Sequence, residues 1–172
     1  MNTSHNLILK FYDSFSKHDA ETMASCYHPD ATFHDPAFGT LNREEVCSMW
    51  KMLIERSNGN LIIEFSVDKA KQKKGQAKWI AHYTFSQTNR KVKNVVEAKF
   101  KFKDGLIISH TDSFNFWHWS GMALGWKGYL LGWTPFLKKK VRQQATLSLQ
   151  KYMSKTLKTN HFSSPIQSEI IA

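Results

Sequence analysis

Near position 60 the apolar residues of this chain change period, and that change constrains its fold more than any other feature. Before it, apolar side chains recur every three or four residues, as on one helical face; after it they alternate, as on a half-buried strand. From Asn6 to Lys17, the residues Leu7, Ile8, Phe11 and Phe15 mark a first helix. A short second helix spans Ala20 to Tyr27, with Met23, Cys26 and Tyr27 on its face, and stops at His28-Pro29-Asp30. Ala31 to His34 reads as a brief extended piece, and Asp35-Pro36 with Gly39 as a loop. Asn42 can cap a third helix with Glu44 and Glu45 in its first turn. Its stripe is Val46, Met49, Trp50, Leu53 and Ile54, and Asn58-Gly59 ends it.

Beyond residue 60, Leu61 to Val67 is a first strand, and the polar stretch Lys69 to Gln76 turns the chain into a second. There Trp79, Ala81, Tyr83 and Phe85 alternate with Ile80, His82 and Thr84. In the third strand, Val92 to Lys103, one face carries Val96, Ala98, Phe100 and Phe102; the other carries Glu97, Lys99, Lys101 and Lys103. Asp104-Gly105 predicts a hairpin into a last strand, Leu106 to Trp119. Three helices followed by four antiparallel strands make an α+β domain. With a tight corner, Phe102 pairs near Leu106, Phe100 near Ile108, Ala98 near His110 and Val96 near Asp112, so that His110 and Asp112 point inward. A one-residue bulge in that register would turn both outward.

Thr134 and Pro135 open a final helix whose stripe is Leu137, Val141, Ala145, Leu149, Tyr152 and Met153. The expected organisation is a domain over residues 1–120, a Trp-rich segment and basic helix over 121–158 docked on it, and a loose tail over 159–172. A chain of 172 residues suits one domain, and 13% aromatic content with six tryptophans fits a large aromatic-lined interior. Cys26 and Cys47 fall in helical segments and read as buried free thiols. The polar start Asn2 to His5 shows no secretory leader, which suggests a cytoplasmic protein, and the apolar run Met122 to Leu137 is broken by Lys127 and several glycines, short of a membrane span.

The segment His18 to Gly39, HDAETMASCYHPDATFHDPAFG, resembles the second helix and following loop of ketosteroid isomerases and SnoaL-like polyketide cyclases, in which a D-A-T-x-x-D-P string closes one end of a pocket. The resemblance covers roughly residues 5–120 and implies the cone-shaped nuclear transport factor 2-like fold, with helices packed on a curved antiparallel sheet. The stretch from His110 to Ala145 is similar to the end of a bacterial subgroup of that superfamily with no agreed reaction. Asp35 takes the place of the catalytic base of ketosteroid isomerases. Their oxyanion-stabilising tyrosine and protonated aspartate align with Phe11 and Ala98. Each such donor commonly supplies about 3 kcal/mol or more, so the loss of both argues against that particular reaction.

The candidate catalytic residues are therefore Asp35, His110 and Asp112. A carboxyl in an apolar pocket gains base strength through desolvation, and a His and an Asp two residues apart on one strand face can orient a proton-transfer imidazole. The competing readings are that Asp35 only starts the turn before Pro36, and that His110 and Asp112 are a satisfied polar patch. Candidate pocket-lining residues are Phe11, Tyr12, Tyr27, Trp50, Trp79, Tyr83, Ala98, Phe100 and Phe114, with Asn115 weaker. His28 and His34 bracket Asp35 without a defined metal-ligand spacing, and no nucleotide-binding or nucleophile motif occurs, so no metal or cofactor is expected.

The net charge of +10 is unevenly placed. Residues 1–60 carry five Lys/Arg against eight Asp/Glu, whereas no acidic residue falls between Asp112 and Glu169. Lys138, Lys139 and Lys140 occupy the first turn of the last helix, where the helix dipole disfavours them. With Trp117, Trp119, Trp126 and Trp133 they suggest an anionic membrane surface as partner, against the plainer reading of a solvated basic face. No nucleic-acid-binding module accompanies the charge. The resemblance also implies a homodimer paired through the outer sheet face, and a small apolar carbonyl or polyketide-like compound as ligand.

Overall fold

The computed structural model describes residues 3–162. Its elements are α1 (Thr3–Ser16), α2 (Ala20–Ser25), β1 (Tyr27–Asp35), β2 (Gly39–Asn42), α3 (Arg43–Arg56), β3 (Ile62–Lys71), β4 (Lys74–Phe85), β5 (Arg90–Lys103), β6 (Leu106–Phe114), α4 (Phe116–Leu124), α5 (Trp126–Leu131) and α6 (Pro135–Phe162). One six-stranded sheet runs in the order β2-β1-β6-β5-β4-β3, antiparallel except where β1 lies parallel to β6. It is an α+β fold with α1 and α3 packed on one face of the sheet.

The helices start where local chemistry lets them. Asp19 caps α2 by accepting from Thr22 N at 2.9 Å. Asn42 and Glu45 form a capping box on α3, with Glu45 N donating to Asn42 Oδ1 at 3.0 Å and Asn42 N to Glu45 Oε2 at 2.8 Å. The buried faces of α1 (Ile8, Phe11, Tyr12, Phe15) and α3 (Val46, Met49, Trp50, Met52) meet the inward residues of the sheet in one core. The opposite face of β5 presents exposed Lys91, Lys93, Lys99, Lys101 and Lys103.

Four expectations need correction. The sheet has six strands, because Tyr27 does not end a second helix but begins β1, and the chain returns through β2 before α3. Pro29 disguises this strand: it has no N–H to donate, and the β1–β6 pairing breaks register between Tyr27 and Thr32. The last strand stops at Phe114. Asn115, weighed as a pocket residue, instead caps α4 by accepting from His118 N at 3.0 Å. The final helix continues to Phe162, past the expected end at residue 158; the remainder of the expected tail, 163–172, lies outside the described residues.

The fourth concerns the β5–β6 register. Asp104 and Gly105 both have positive φ, 52° and 75°, and form a two-residue turn that places Lys103 opposite Leu106, one step from the expected pairing. A bulge between the pairs Phe102–Ile107 and Lys101–Ser109 adds a second step, so Phe100 faces His110 and Ala98 faces Asp112. The side-chain period being two, the two shifts cancel in parity. The bulge thus turns His110 and Asp112 inward, the reverse of its expected effect.

Candidate active site

Two neighbouring strands deliver the two acids. β1 runs beside β6 with Phe33 opposite His110 and His34 opposite Thr111, so Asp35, the last residue of β1, and Asp112 follow at the same end. Asp35 is 9% exposed, and the backbone N–H of Phe38 donates to its Oδ1 at 2.5 Å across the Pro36 turn. Burial pushes its carboxyl up from 3.8 to about 7; the charge of Asp112 pushes the same way, opposed by the backbone N–H groups of Phe38, Ala37 and Gly39.

Asp112 stands at the end of a buried relay. The Trp50 indole N–H can only donate, and it reaches Tyr27 Oη at 3.1 Å. The Tyr27 hydroxyl then donates to His110 Nδ1 at 2.7 Å, which leaves His110 Nε2–H to donate to Asp112 Oδ1 at 2.9 Å. Trp79 Nε1–H approaches the same carboxylate oxygen at 3.5 Å. Every member packs in the aromatic core, with the His110 ring 4.3 Å from Phe100 and stacked on Tyr27 and Trp50 at 6.1 and 6.2 Å.

Asp35 and Asp112 open onto a cavity of about 750 Å³. Its walls include Trp50, Trp79, Tyr83, Phe114 and Trp119, and α6 closes it with Leu137, Val141, Gln144 and Ala145. The Trp119 indole donates to Tyr83 Oη at 2.8 Å, and burial pushes that phenol up to about 12. α6 is held by Leu149 in the core and by Arg56, which donates to Ser148 Oγ at 2.6 Å.

Of the expected pocket residues, Trp50, Trp79, Tyr83 and Phe114 border this cavity. Phe11, Tyr12, Tyr27, Ala98 and Phe100 do not: they are buried behind it, where α1 meets the sheet. His110 is likewise one layer back and reaches the cavity only through Asp112. The Tyr12 hydroxyl finds no hydrogen-bond partner among the described residues, and burial first, then the charge of Asp112, push it well above the usual phenol range. His28 lies by Asp30 and Asp104, His34 bonds Thr40, and among the described residues no three His, Cys, Asp or Glu side chains gather as a metal site. The sequence reading missed Asn94 and Gln144 as polar groups on the cavity wall. The four-residue spacing of Leu137, Val141 and Ala145 was the available signal for the roof, but it marks a buried face without saying what that face covers.

A carboxyl that titrates near neutrality, beside a second one held by N–H donors, can take up and return a proton in a largely apolar space.

A family model described as SnoaL-like domain matches residues 8–110. No curated protein matches the sequence. Among solved structures, the chain is similar to a candidate polyketide cyclase of Xanthomonas campestris pv. campestris (16% identity, TM-score 0.58, covering 70% of this chain and 96% of that one). It is also similar to an LEH-like epoxide hydrolase of M. tuberculosis (16% identity, TM-score 0.53, 78% and 95%). A third such structure is TerC co-crystallized with polyporic acid (16% identity, TM-score 0.56, 71% and 98%). With three-fifths of its length matched by the family model, the chain belongs to the SnoaL-like family of the nuclear transport factor 2-like superfamily.

Proposed function

We propose that this protein is an acid–base enzyme of the isomerase, cyclase or hydrolase type, acting through its own side chains on a small apolar carbonyl or polyketide-like compound. The observation that carries the reading is the pairing of Asp35, titrating at about 7, with Asp112 in one aromatic-walled cavity. Asp35 is the proton carrier, Asp112 sets the local field, and His110 and Tyr27 position Asp112. The similar structures include a candidate polyketide cyclase and an LEH-like epoxide hydrolase, which supports a reaction of this type. Proton abstraction next to a carbonyl should appear as exchange with deuterated water when apolar ketones are incubated with the protein. Exchange that survives Asp35→Asn would refute the assignment.

A second reading, a non-catalytic carrier of an apolar ligand, is favoured by one observation. The positions matching the two oxyanion donors of ketosteroid isomerases hold Phe11 and Ala98, both buried away from the cavity. Mass spectrometry of co-purified compounds, with no exchange in any ketone tested, would select it. We further propose a cytoplasmic homodimer: Cys26 and Cys47 are free thiols, and the outer sheet face exposes Val95 and Ile62 as an apolar surface.

A further inference from the structure

The segment that closes the cavity carries a surface that neither the core nor the acid pair uses. Trp126, Leu130, Trp133 and Phe136 are 68%, 61%, 70% and 68% exposed within eleven consecutive residues. Trp119, expected with the other tryptophans of this stretch, is buried, whereas Trp117 is exposed with its ring edge-on to Tyr129, so the exposed aromatic surface runs from Trp117 of α4 through α5 to the start of α6. Isolated exposed apolar residues are ordinary, but a cluster of this size marks an interaction site.

This cluster is held rigidly. A Cβ on Gly128 would lie 1.8 Å from the Ser120 carbonyl oxygen, and one on Gly132 would lie 2.1 Å from Ser120 Oγ. α5 therefore sits against α4 at a distance only glycine allows, and Trp117 Nε1–H donates to Tyr129 O at 2.9 Å across the same contact.

The rim of the cluster is cationic. Lys127, Lys138, Lys139 and Lys140 are exposed beside it, with Lys127 5.8 Å from the centre of the Trp126 ring. With no acidic residue between Asp112 and Glu169, nothing in that stretch of chain neutralises them. Large aromatics in the middle and lysines around them match a bilayer interface with anionic headgroups, where rings sit at headgroup depth and ammonium groups meet phosphate and carboxylate. Trp126, Lys127, Leu131, Phe136 and Lys140 also border the cavity that holds Asp35 and Asp112.

We propose that α5 and the first turn of α6 dock on an anionic lipid bilayer, with the cavity mouth facing the membrane. An apolar ligand dissolved in the bilayer then enters the cavity without crossing water.

The test uses the full chain and vesicles of phosphatidylcholine with or without phosphatidylserine, free of added ligand. The protein should co-sediment with the phosphatidylserine vesicles at low salt and be released by high salt. Lys138→Gln/Lys139→Gln/Lys140→Gln should weaken partitioning at least tenfold, given about fivefold per lysine near an anionic surface. Brominated lipid should quench tryptophan fluorescence in the wild type, and Trp126→Ser/Trp133→Ser should remove most of that quenching while the circular dichroism spectrum is kept. The proposal is overturned by absence of binding to the phosphatidylserine vesicles, by equal binding to pure phosphatidylcholine, or by wild-type partitioning of the lysine variant. Loss of self-association in the tryptophan variant would also overturn it, by making the patch a contact between copies. The inference rests on the proposed site only for what enters the cavity. Asp35→Asn should bind vesicles like the wild type, so failure of the acid–base reading and failure of docking are read separately.

Discussion

Asp35→Asn should make the folded protein more stable above neutral pH while removing its proton chemistry. The substitution keeps a side-chain oxygen for the Phe38 N–H, so the turn at Pro36 keeps its hydrogen bond. What it removes is a carboxyl whose folded value, about 7, lies above the ordinary 3.8. Between these two values the folded state binds more protons than the unfolded state, so this group's contribution to stability is complete below about pH 4 and is lost as pH rises through about 7. Three pKa units correspond to about 4 kcal/mol at pH 8. The asparagine carries no such penalty, although its amide N–H groups need partners in a largely apolar wall, which reduces the net gain to about 2–4 kcal/mol. Urea and thermal unfolding of both proteins, followed by circular dichroism at pH 5 and pH 8, measure the difference. The expected result is an advantage for the variant that grows with pH, and at pH 8 a midpoint temperature higher by roughly 4–16 °C, at 2–4 °C per kcal/mol. A stability difference that stays flat between the two pH values would refute the claim that Asp35 is buried at the cost of its charge.

Other consequences test separate parts of the site. If Asp35 is the base, kcat/KM should rise about tenfold per pH unit below 7 and level off above it, and a profile flat from pH 5 to 8 would exclude it. Tyr27→Phe leaves the Trp50 N–H and His110 Nδ1 without their shared partner, so it should destabilise by about 2–4 kcal/mol in urea unfolding; a change under 0.5 kcal/mol would mean the relay is not formed. Gly128→Ala should lower the melting temperature and speed amide exchange in α4 and α5, since its methyl meets the Ser120 carbonyl; unchanged exchange there would refute the tight packing. Val95→Lys places a further charge on the apolar spot of the outer sheet face and should turn a sedimenting dimer into a monomer. A wild-type monomer, or a variant that stays dimeric, would remove that face as the interface.

The sequence showed most plainly what repeats locally. The stripes of α1 and α3 and the alternation of β4 and β5 are legible because each buries one face, and period alone reports that. What escaped was set by tertiary partners. β1 was legible only as the extended piece Ala31 to His34, because Pro29 interrupts its start and because its partner β6 lies some eighty residues downstream. The start of α4, Phe116 to Trp119, was read as strand because Phe116, Trp117 and Trp119 are β-formers by propensity, yet the Asn115 cap and the close contact with Gly128 decide for helix. The register bulge at the start of β6 has no sequence marker, and the inward direction of His110 and Asp112 was reached through a pairing the molecule does not use. Asp35 was identifiable from its motif, whereas its shift needed burial and the neighbouring Asp112.

The family match ends at residue 110, inside β6. Residues 8–110 contain Asp35, Tyr27, Trp50 and His110, but Asp112 and the roof from Phe114 through Ser148 lie beyond it. The matched span thus holds Asp35 and three of the four relay members, β6 carries Asp112 two residues past its end, and α4 to α6 supply the roof of the cavity. Ligand choice in this protein should therefore depend on α4 to α6 more than on the cone. Substitution of Val141 by a bulkier Phe fills the cavity from the roof without touching either acid. It should exclude large ligands while leaving the Asp35 titration near 7, and a variant that instead shifts that titration would show roof and acid pair to be one unit rather than two.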